Sequence, residues 1–138
     1  MRLRRNQKVD LIAHVPLFAQ CSKGELEQIA AIADEIDLDE GKELTREGAA
    51  GREFFVLLDG SADVKQDDKT INTLGAGDFF GEIALISDRP RTATVVATSP
   101  VRALVVTDRA FRRLVDESPE IESSVTEAMR ERVAHDEI

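Results

Sequence analysis

The residue types that can hold an anion are concentrated in one stretch, residues 80–95, which reads FGEIALISDRPRTATV. Gly81 lets the backbone pass close to a ligand because glycine has no Cβ atom. Residues 82–86 can form one helical turn, and the unpaired amide groups at the start of such a turn attract a phosphate. Pro90 restricts the backbone ahead of Arg91, whose planar guanidinium can donate two hydrogen bonds to a phosphate. The pattern therefore predicts a small anion-binding loop.

The same stretch contains a carboxylate, Glu82, that needs a different partner. A phosphate would repel it, and an ionised carboxylate only accepts hydrogen bonds, which suits the hydroxyl group of a sugar. The small residues Ala84, Thr92 and Ala93 would let backbone amides come within bonding distance of a ligand. An anion site beside a hydroxyl acceptor describes a ribose phosphate. The alternative is an ion pair between Glu82 and Arg91 that stabilises a loop without any ligand.

The chain lacks the sequence patterns of several common enzyme classes. The glycines of residues 75–81 are spaced one residue too widely for a dinucleotide-binding fingerprint. Residues 41–43 lack both the Ser or Thr and the upstream glycine of a phosphate-binding P-loop. The chain has no Gly-x-Ser-x-Gly motif, and residues 35–107 contain no histidine that a metal oxygenase of the barrel type would need. We therefore expect neither catalysis nor a bound cofactor.

Cysteine and histidine are too scarce for a metal site or a disulfide framework. The single cysteine is Cys21, and the two histidines, His14 and His135, lie near opposite ends of the chain. Since a structural zinc ion takes about four such ligands, we expect no metal. A lone cysteine is typical of a reducing compartment. The basic residues 1–8 precede a stretch that Asp10 interrupts, which argues against a signal peptide, so we predict a cytoplasmic protein.

Charge and hydropathy argue against two further kinds of partner. Acidic residues outnumber basic ones by 27 to 18, which gives a formal net charge of −9. Such a surface repels phosphodiester backbones. All six aromatic residues are Phe, so the Tyr and Trp side chains that often stack on bases are missing. No apolar run approaches the roughly 18 residues of a membrane-spanning helix. We expect neither nucleic-acid binding by this chain alone nor a membrane span.

The spacing of apolar residues divides the chain into four segments. Residues 1–8 are a basic tail, expected to be solvated and frayed, with a contact to a phosphate or an acidic partner as the alternative. Residues 9–34 have helical spacing, with a capping box at Ser22 and Glu25. Residues 35–107 consist of short runs that alternate in polarity between glycines, as roughly eight β-strands would, and residues 108–138 are helical again. We predict a mainly β, α+β fold, which is an eight-stranded β-roll (jelly roll) with N-terminal helices and two C-terminal helices.

Three local features carry expectations of their own. Asp67-Asp68 is expected to form the tip of a hairpin. Phe54 and Phe55 are adjacent in a predicted strand and must face opposite sides, so we expect that at most one of them fills the core. Cys21 is expected to be a buried and unreactive small hydrophobic residue.

Residues 80–95 closely resemble the phosphate-binding cassette of cyclic nucleotide-binding domains, a family shared by catabolite-activator regulators, cyclic-nucleotide-dependent kinases and gated channels. The string FGEIAL…PRTATV matches without a gap, and the order of predicted elements agrees over nearly the whole chain. The resemblance implies a single domain over residues 9–138, with the cassette at residues 79–94. It also implies that Glu82 holds the ribose 2′-hydroxyl and that Arg91 holds the cyclic phosphate.

The resemblance extends the candidate site beyond these two side chains. The cassette residues that we expect around them are Phe80, Gly81, Ile83, Ala84, Thr92 and Ala93. The base would lie against Val64 and Leu74, and the last helix would cover it with Val125 or Met129; alternatively, Val125 and Met129 belong only to the core. A threonine at position 92 can favour cGMP but also occurs in cAMP binders, so cAMP is the first candidate ligand and cGMP the second.

The resemblance also implies a sensor whose C-terminal helices move when a cyclic nucleotide binds. Catabolite-activator relatives carry a helix-turn-helix domain after the final helix and kinase regulators carry tandem copies, and neither is expected here. The effector is therefore an unidentified protein or a missing domain, and pairing of two copies through the C-terminal helix is left open. The alternatives are a ligand-independent interaction module on the same fold and the sensory fragment of a transcription regulator.

Overall fold

The computed structural model describes residues 3–87 and 89–135, without the side chains of residues 129 and 131–135 in the last helix. Backbone contacts divide the chain into two compact units. The β unit is Asp34–Asp108, and the helical unit combines the residues before Asp34 with those after Asp108. The bounds of the β unit lie close to those predicted for the β-roll, residues 35–107.

The β unit consists of two antiparallel sheets of four strands each. The strands are β1 (Asp34–Leu38), β2 (Glu43–Thr45), β3 (Glu53–Asp59), β4 (Ala62–Gln66), β5 (Lys69–Leu74), β6 (Phe79–Phe80), β7 (Thr94–Ala97) and β8 (Val101–Thr107). Their order is β1-β8-β3-β6 in the first sheet and β2-β7-β4-β5 in the second. The prediction of an eight-stranded β-roll with helices before and after it is confirmed.

Apolar side chains from both sheets form the core of the β unit. Phe55, Leu57 and Ala103 come from the first sheet, and Ala62 and Val95 come from the second. All five are buried, with exposed fractions of 4% or less. Burial of a large apolar side chain contributes about 1.5–3 kcal/mol relative to leaving it in water, so this cluster holds the two sheets together.

Phe54 and Phe55 are both buried, so the expectation that only one of them fills the core is wrong. Their exposed fractions are 1% and 4%. Phe54 lies against Phe79 with ring centroids 6.3 Å apart, and Phe55 stacks on Phe80 at 4.9 Å. The physical reason is the position of β3, an interior strand between β8 and β6 with buried side chains on both faces.

The hairpin between β4 and β5 turns at Asp67 and Asp68, as predicted. Both residues have positive φ angles, 51° and 65°. A two-residue hairpin of this type needs left-handed conformations at both positions, and Asp tolerates them better than most residues.

The helical unit contains α1 (Arg5–Ile12), a short 3-10 helix (Pro16–Phe18), α2 (Lys23–Ala31), α3 (Asp108–Glu117, whose first residue belongs to the β unit) and α4 (Pro119–His135). The capping box that starts α2 is confirmed: the Glu25 amide donates to Ser22 Oγ at 3.2 Å, and the Ser22 amide donates to Glu25 Oε1 at 2.9 Å. None of the described helices has both the length and the hydropathy needed to cross a bilayer.

The first helix begins at Arg5, inside the segment that was expected to be a frayed tail. Two side chains explain the earlier start. The amide of Arg4 donates to Gln7 Oε1 at 2.8 Å, which caps the helix, and Lys8 Nζ donates to the carbonyl of Ala33 at 2.8 Å. The basic residues at positions 5 and 8 are therefore part of an ordered helix.

Cys21 is half-buried, not fully buried as expected. Burial raises the pKa of its thiol to about 11, with a further contribution from the charge of Glu25 and a smaller opposing one from a hydrogen bond with Ser124. Since the thiolate is the reactive form, the thiol stays protonated and weakly reactive at neutral pH.

Candidate functional site

The cassette turn is the 3-10 helix Glu82–Leu85, which follows β6 directly. Gly81 enters it with φ +85°, and the Ala84 amide donates to the Gly81 carbonyl at 3.0 Å. A Cβ atom at position 81 would lie 2.5 Å from Arg91 Nη1 and 2.7 Å from the Glu53 carbonyl oxygen. Glycine is thus required both by its left-handed backbone and by the close approach of Arg91. The predicted helical turn is present, as a short 3-10 helix.

Arg91 places its guanidinium group, on a largely buried side chain, against the cassette turn. Its side chain is 10% exposed, and Nη2 lies 3.8 Å from Oε1 of Glu53, whose side chain is 44% exposed. The same Nη2 donates a hydrogen bond to the Glu53 backbone carbonyl. Burial lowers the pKa of Arg91, and the charge of Glu53 opposes the shift. Away from water, the attraction between a cation and an anion is screened only weakly. The arrangement of Arg91 therefore favours an anionic ligand.

The loop between β2 and β3 fixes the backbone around Arg91. The Arg91 amide donates to the Ala49 carbonyl, and the Gly48 amide donates to the Arg91 carbonyl, both at 2.8 Å. A Cβ atom at position 51 would lie 3.1 Å from Arg91 Nε and 3.2 Å from the Cβ of Ala84. Gly51 therefore lets this loop pass close to both the cassette turn and Arg91.

Sequence reasoning missed Gly51 and Glu53 as parts of the site. Glu53 contributes a backbone carbonyl as well as its carboxylate, and no residue pattern indicates which carbonyl a distant arginine will contact. Gly51 had a signal, since glycine is often found where the backbone passes close to another group.

Glu82 is buried, with an exposed fraction of 6%, at the start of the cassette turn. Glu82 directly follows Gly81, whose backbone lies close to the Arg91 side chain. The structure pairs Arg91 with the carboxylate of Glu53. A buried carboxylate and a buried guanidinium are thus carried by the same short segment.

The other predicted site residues of the β unit lie along the cassette and in the sheet core. Ala84 is buried, Gly81, Ile83 and Ala93 are partly buried, and Thr92 is exposed. Leu74 is part of the core, and Val64 and Phe80 pack against it. The structure thus places Gly81 beside Arg91, bonds the Ala84 amide to the Gly81 carbonyl, and brings Val64, Leu74 and Phe80 into one cluster.

The two candidates for covering the base lie in α4, which belongs to the helical unit. Val125 is buried, with an exposed fraction of 4%. The side chain of Met129 lies outside the described residues. A role of either residue over a bound base stays a prediction.

Residues 35–118 match the family model described as cyclic nucleotide-binding domain. The matched segment covers most of the chain and includes the whole cassette. The chain therefore belongs to the cyclic nucleotide-binding domain family, as its resemblance at residues 80–95 predicted.

Among curated proteins, the chain is similar to the cAMP-dependent protein kinase regulatory subunit of Mycosarcoma maydis. The two are 37% identical over 124 aligned residues, which cover 81% of this chain and 23% of the relative. The chain spans about a quarter of the length of the curated relatives it matches.

Solved structures share the fold. The N-terminal domain of a transcriptional regulator from Streptomyces coelicolor A3(2) superposes with a TM-score of 0.81 at 24% identity, covering 91% of this chain and 92% of that one. A cAMP-bound structure of PfPKA-R is 29% identical, with a TM-score of 0.68, and the match covers 92% of this chain and 46% of that one.

Proposed function

We propose that the β unit binds a cyclic nucleotide, with cAMP as the first candidate and cGMP as the second. The observation that carries the proposal is the position of Arg91, whose side chain is 10% exposed and whose guanidinium lies against the cassette turn. The similarity of the chain to a cAMP-dependent protein kinase regulatory subunit and to a cAMP-bound structure supports the choice of cAMP.

In this proposal the two charged cassette residues hold different parts of the ligand. Arg91 donates to the cyclic phosphate, and Glu82 accepts a hydrogen bond from the ribose 2′-hydroxyl. A guanidinium carries five N–H donors, and both described contacts with Glu53 run through Nη2. Arg91 can therefore keep its contact with Glu53 while other donors bind the phosphate.

The remaining predicted contacts come from smaller residues. Backbone amides of Thr92 and Ala93 complete the phosphate site. Gly81 and Ile83 flank it, and Ala84, whose amide already donates to the Gly81 carbonyl, contributes only its small side chain. The base lies against the apolar surface of Val64, Leu74 and Phe80, and Val125 or Met129 of α4 covers it.

The domain acts as a sensor, not as an enzyme, and needs no cofactor. Ligand binding moves α3 and α4 and thereby changes the surface offered to an effector protein or domain, or to a second copy of the chain. A ligand shifts such an equilibrium only by its different affinities for the two arrangements. The similarity of the chain to kinase regulatory subunits supports a regulatory role. A cytoplasmic location stays part of the proposal.

One observation favours the alternative of a ligand-independent interaction module. Arg91 already has protein partners, the carbonyl and the carboxylate of Glu53, so the loop can be stable without a nucleotide. A sensory fragment of a transcription regulator would bind the nucleotide in the same way as the proposed sensor.

Titration with cAMP, cGMP and 5′-AMP, followed by amide chemical shifts, tests the proposal. We expect saturable shifts in residues 81–93 with a cyclic nucleotide and much weaker ones with 5′-AMP, whose phosphate is not part of a ring. Half-saturation at 1 mM ligand corresponds to a binding free energy of about −4 kcal/mol. If 1 mM cAMP or cGMP leaves those amides unshifted, the chain is better described as a ligand-independent interaction module.

A further inference from the structure

Two side chains outside the predicted site bind the backbone that leaves the cassette. Gln66 Nε2 donates to the Thr92 carbonyl at 3.0 Å. The hydroxyl of Thr45 donates to the Ala93 carbonyl at 3.1 Å. Thr45 is buried, with an exposed fraction of 7%, whereas Gln66 is exposed.

These two hydrogen bonds lie just before the N-terminal end of β7, where the backbone pairing of that strand with its neighbours stops. The last pair of the β4–β7 ladder is Lys65 with Thr94, and the last pair of the β2–β7 ladder is Thr45 with Val95. Residues 92 and 93 form a bend ahead of β7. Because β7 lies between β2 and β4, the bend is held by one side chain from each neighbouring strand.

The bend is the part of the cassette that follows Arg91 directly. On its other side, Arg91 is bonded through its backbone to Ala49 and Gly48. The amide of Glu47 also donates to Thr94 Oγ1 at 2.9 Å. The segment from Arg91 to Thr94 is therefore anchored at every residue, and at residues 92 and 93 the donors are side chains.

We propose that Thr45 and Gln66 are positioning residues that hold the bend at residues 92–93 in the shape that the ligand requires. The inference rests on the proposed function and adds two residues that do not touch the nucleotide. A backbone that is ordered before binding loses less conformational entropy when the ligand arrives. Removing either donor lets the bend sample other shapes and weakens nucleotide binding.

The test is calorimetry of cAMP binding to the full chain and to Thr45→Val and Gln66→Leu. Valine keeps the shape of Thr45 and removes its hydroxyl. Loss of one neutral hydrogen bond changes an equilibrium constant about 3- to 10-fold. We therefore expect each variant to bind cAMP ~3- to 10-fold more weakly. Hydrogen exchange of the amides of residues 92–94 in the ligand-free variants is expected to be faster than in the original chain.

Two further variants separate positioning from a general loss of stability. Thr45→Ser keeps a hydroxyl donor and is expected to recover most of the affinity that Thr45→Val loses. Thr73→Val is the control: it removes a hydroxyl of β5 that donates a long hydrogen bond, 3.4 Å, to Asp63 Oδ1. This variant is expected to bind cAMP with an affinity within about twofold of that of the original chain.

The outcomes distinguish this inference from the proposed function. If the original chain binds cAMP and both variants bind it equally well, the inference is overturned and the proposed function stands. If only one variant is weakened, the role of the other residue is overturned. If the original chain binds no cyclic nucleotide, both proposals are overturned. Should Thr45→Val fail to fold, Thr45→Ala takes its place in the test of Thr45, and the exposed Gln66→Leu tests Gln66 by itself.

Discussion

Arg91 shows how burial prepares a side chain for an anion. Partial burial of its side chain lowers its pKa, and the half-exposed carboxylate of Glu53 compensates only in part. A phosphate would supply a second negative charge at short range, where the low local dielectric makes the attraction strong. The protein itself carries a net charge of −9, so affinity for an anion has to come from such a local arrangement.

Gly81 is the residue whose replacement should disturb this arrangement most directly. Gly81→Ala places a side chain at φ +85° and a Cβ atom 2.7 Å from the Glu53 carbonyl oxygen. The left-handed backbone alone costs about 1–2 kcal/mol, and the contact adds to it. We expect urea denaturation to show a loss of at least ~1 kcal/mol in the free energy of unfolding, and cAMP binding to weaken as Arg91 is displaced.

Gly75→Ala is the matched control, since a Cβ atom at position 75 has no neighbour within 4 Å. It should change the free energy of unfolding by less than about 0.5 kcal/mol. Equal stabilities of Gly81→Ala and Gly75→Ala would contradict the proposed requirement for glycine at position 81.

At the scale of the elements, α2 depends on its capping box. Ser22 Oγ binds the Glu25 amide, and Glu25 Oε1 accepts from the Ser22 amide and from the Ser124 hydroxyl of α4 at 2.9 Å. The cap therefore also connects two helices of the helical unit.

Ser22→Ala should lower the free energy of unfolding by about 1 kcal/mol, because an amide of the first helical turn loses its partner. The exposed Ser123, in the interior of α4, provides the control. Ser123→Ala should leave the stability within about 0.5 kcal/mol of the original, since alanine favours helix. Thermal or urea unfolding measures both variants, and an unchanged stability of Ser22→Ala would show that the cap contributes nothing.

The elements also show what local sequence can and cannot indicate. The capping box and the Asp67-Asp68 turn were predictable because their interactions connect residues close in the chain. The start of α1 was missed because one of its supports, the Ala33 carbonyl that Lys8 contacts, is distant in sequence. Phe54 and Phe55 were misjudged because the burial of both faces of β3 depends on which strands lie beside it.

At the scale of the whole molecule, alternating strands and periodic helices were enough to predict a β-roll with flanking helices, and the string at residues 80–95 was enough to predict the family. The contacts of Arg91 with Glu53, and those of Thr45 and Gln66 with the cassette, join residues more than twenty positions apart. Such contacts follow from the assembled sheets and leave no pattern in the chain. The proposed sensor thus depends on a recognisable motif and on a surrounding scaffold that only the structure reveals.

The most direct test of the account is calorimetric titration of cAMP into the chain and into Arg91→Ala, with Arg102→Ala, which removes a surface ion pair with Asp37, as the control. A charge-assisted hydrogen bond is worth roughly 1.5–3 kcal/mol. We predict that Arg91→Ala weakens cAMP binding about tenfold if one such bond is lost and more than a hundredfold if two are lost, while Arg102→Ala binds normally. An Arg91→Ala variant that folds and binds cAMP as tightly as the original chain would contradict the account.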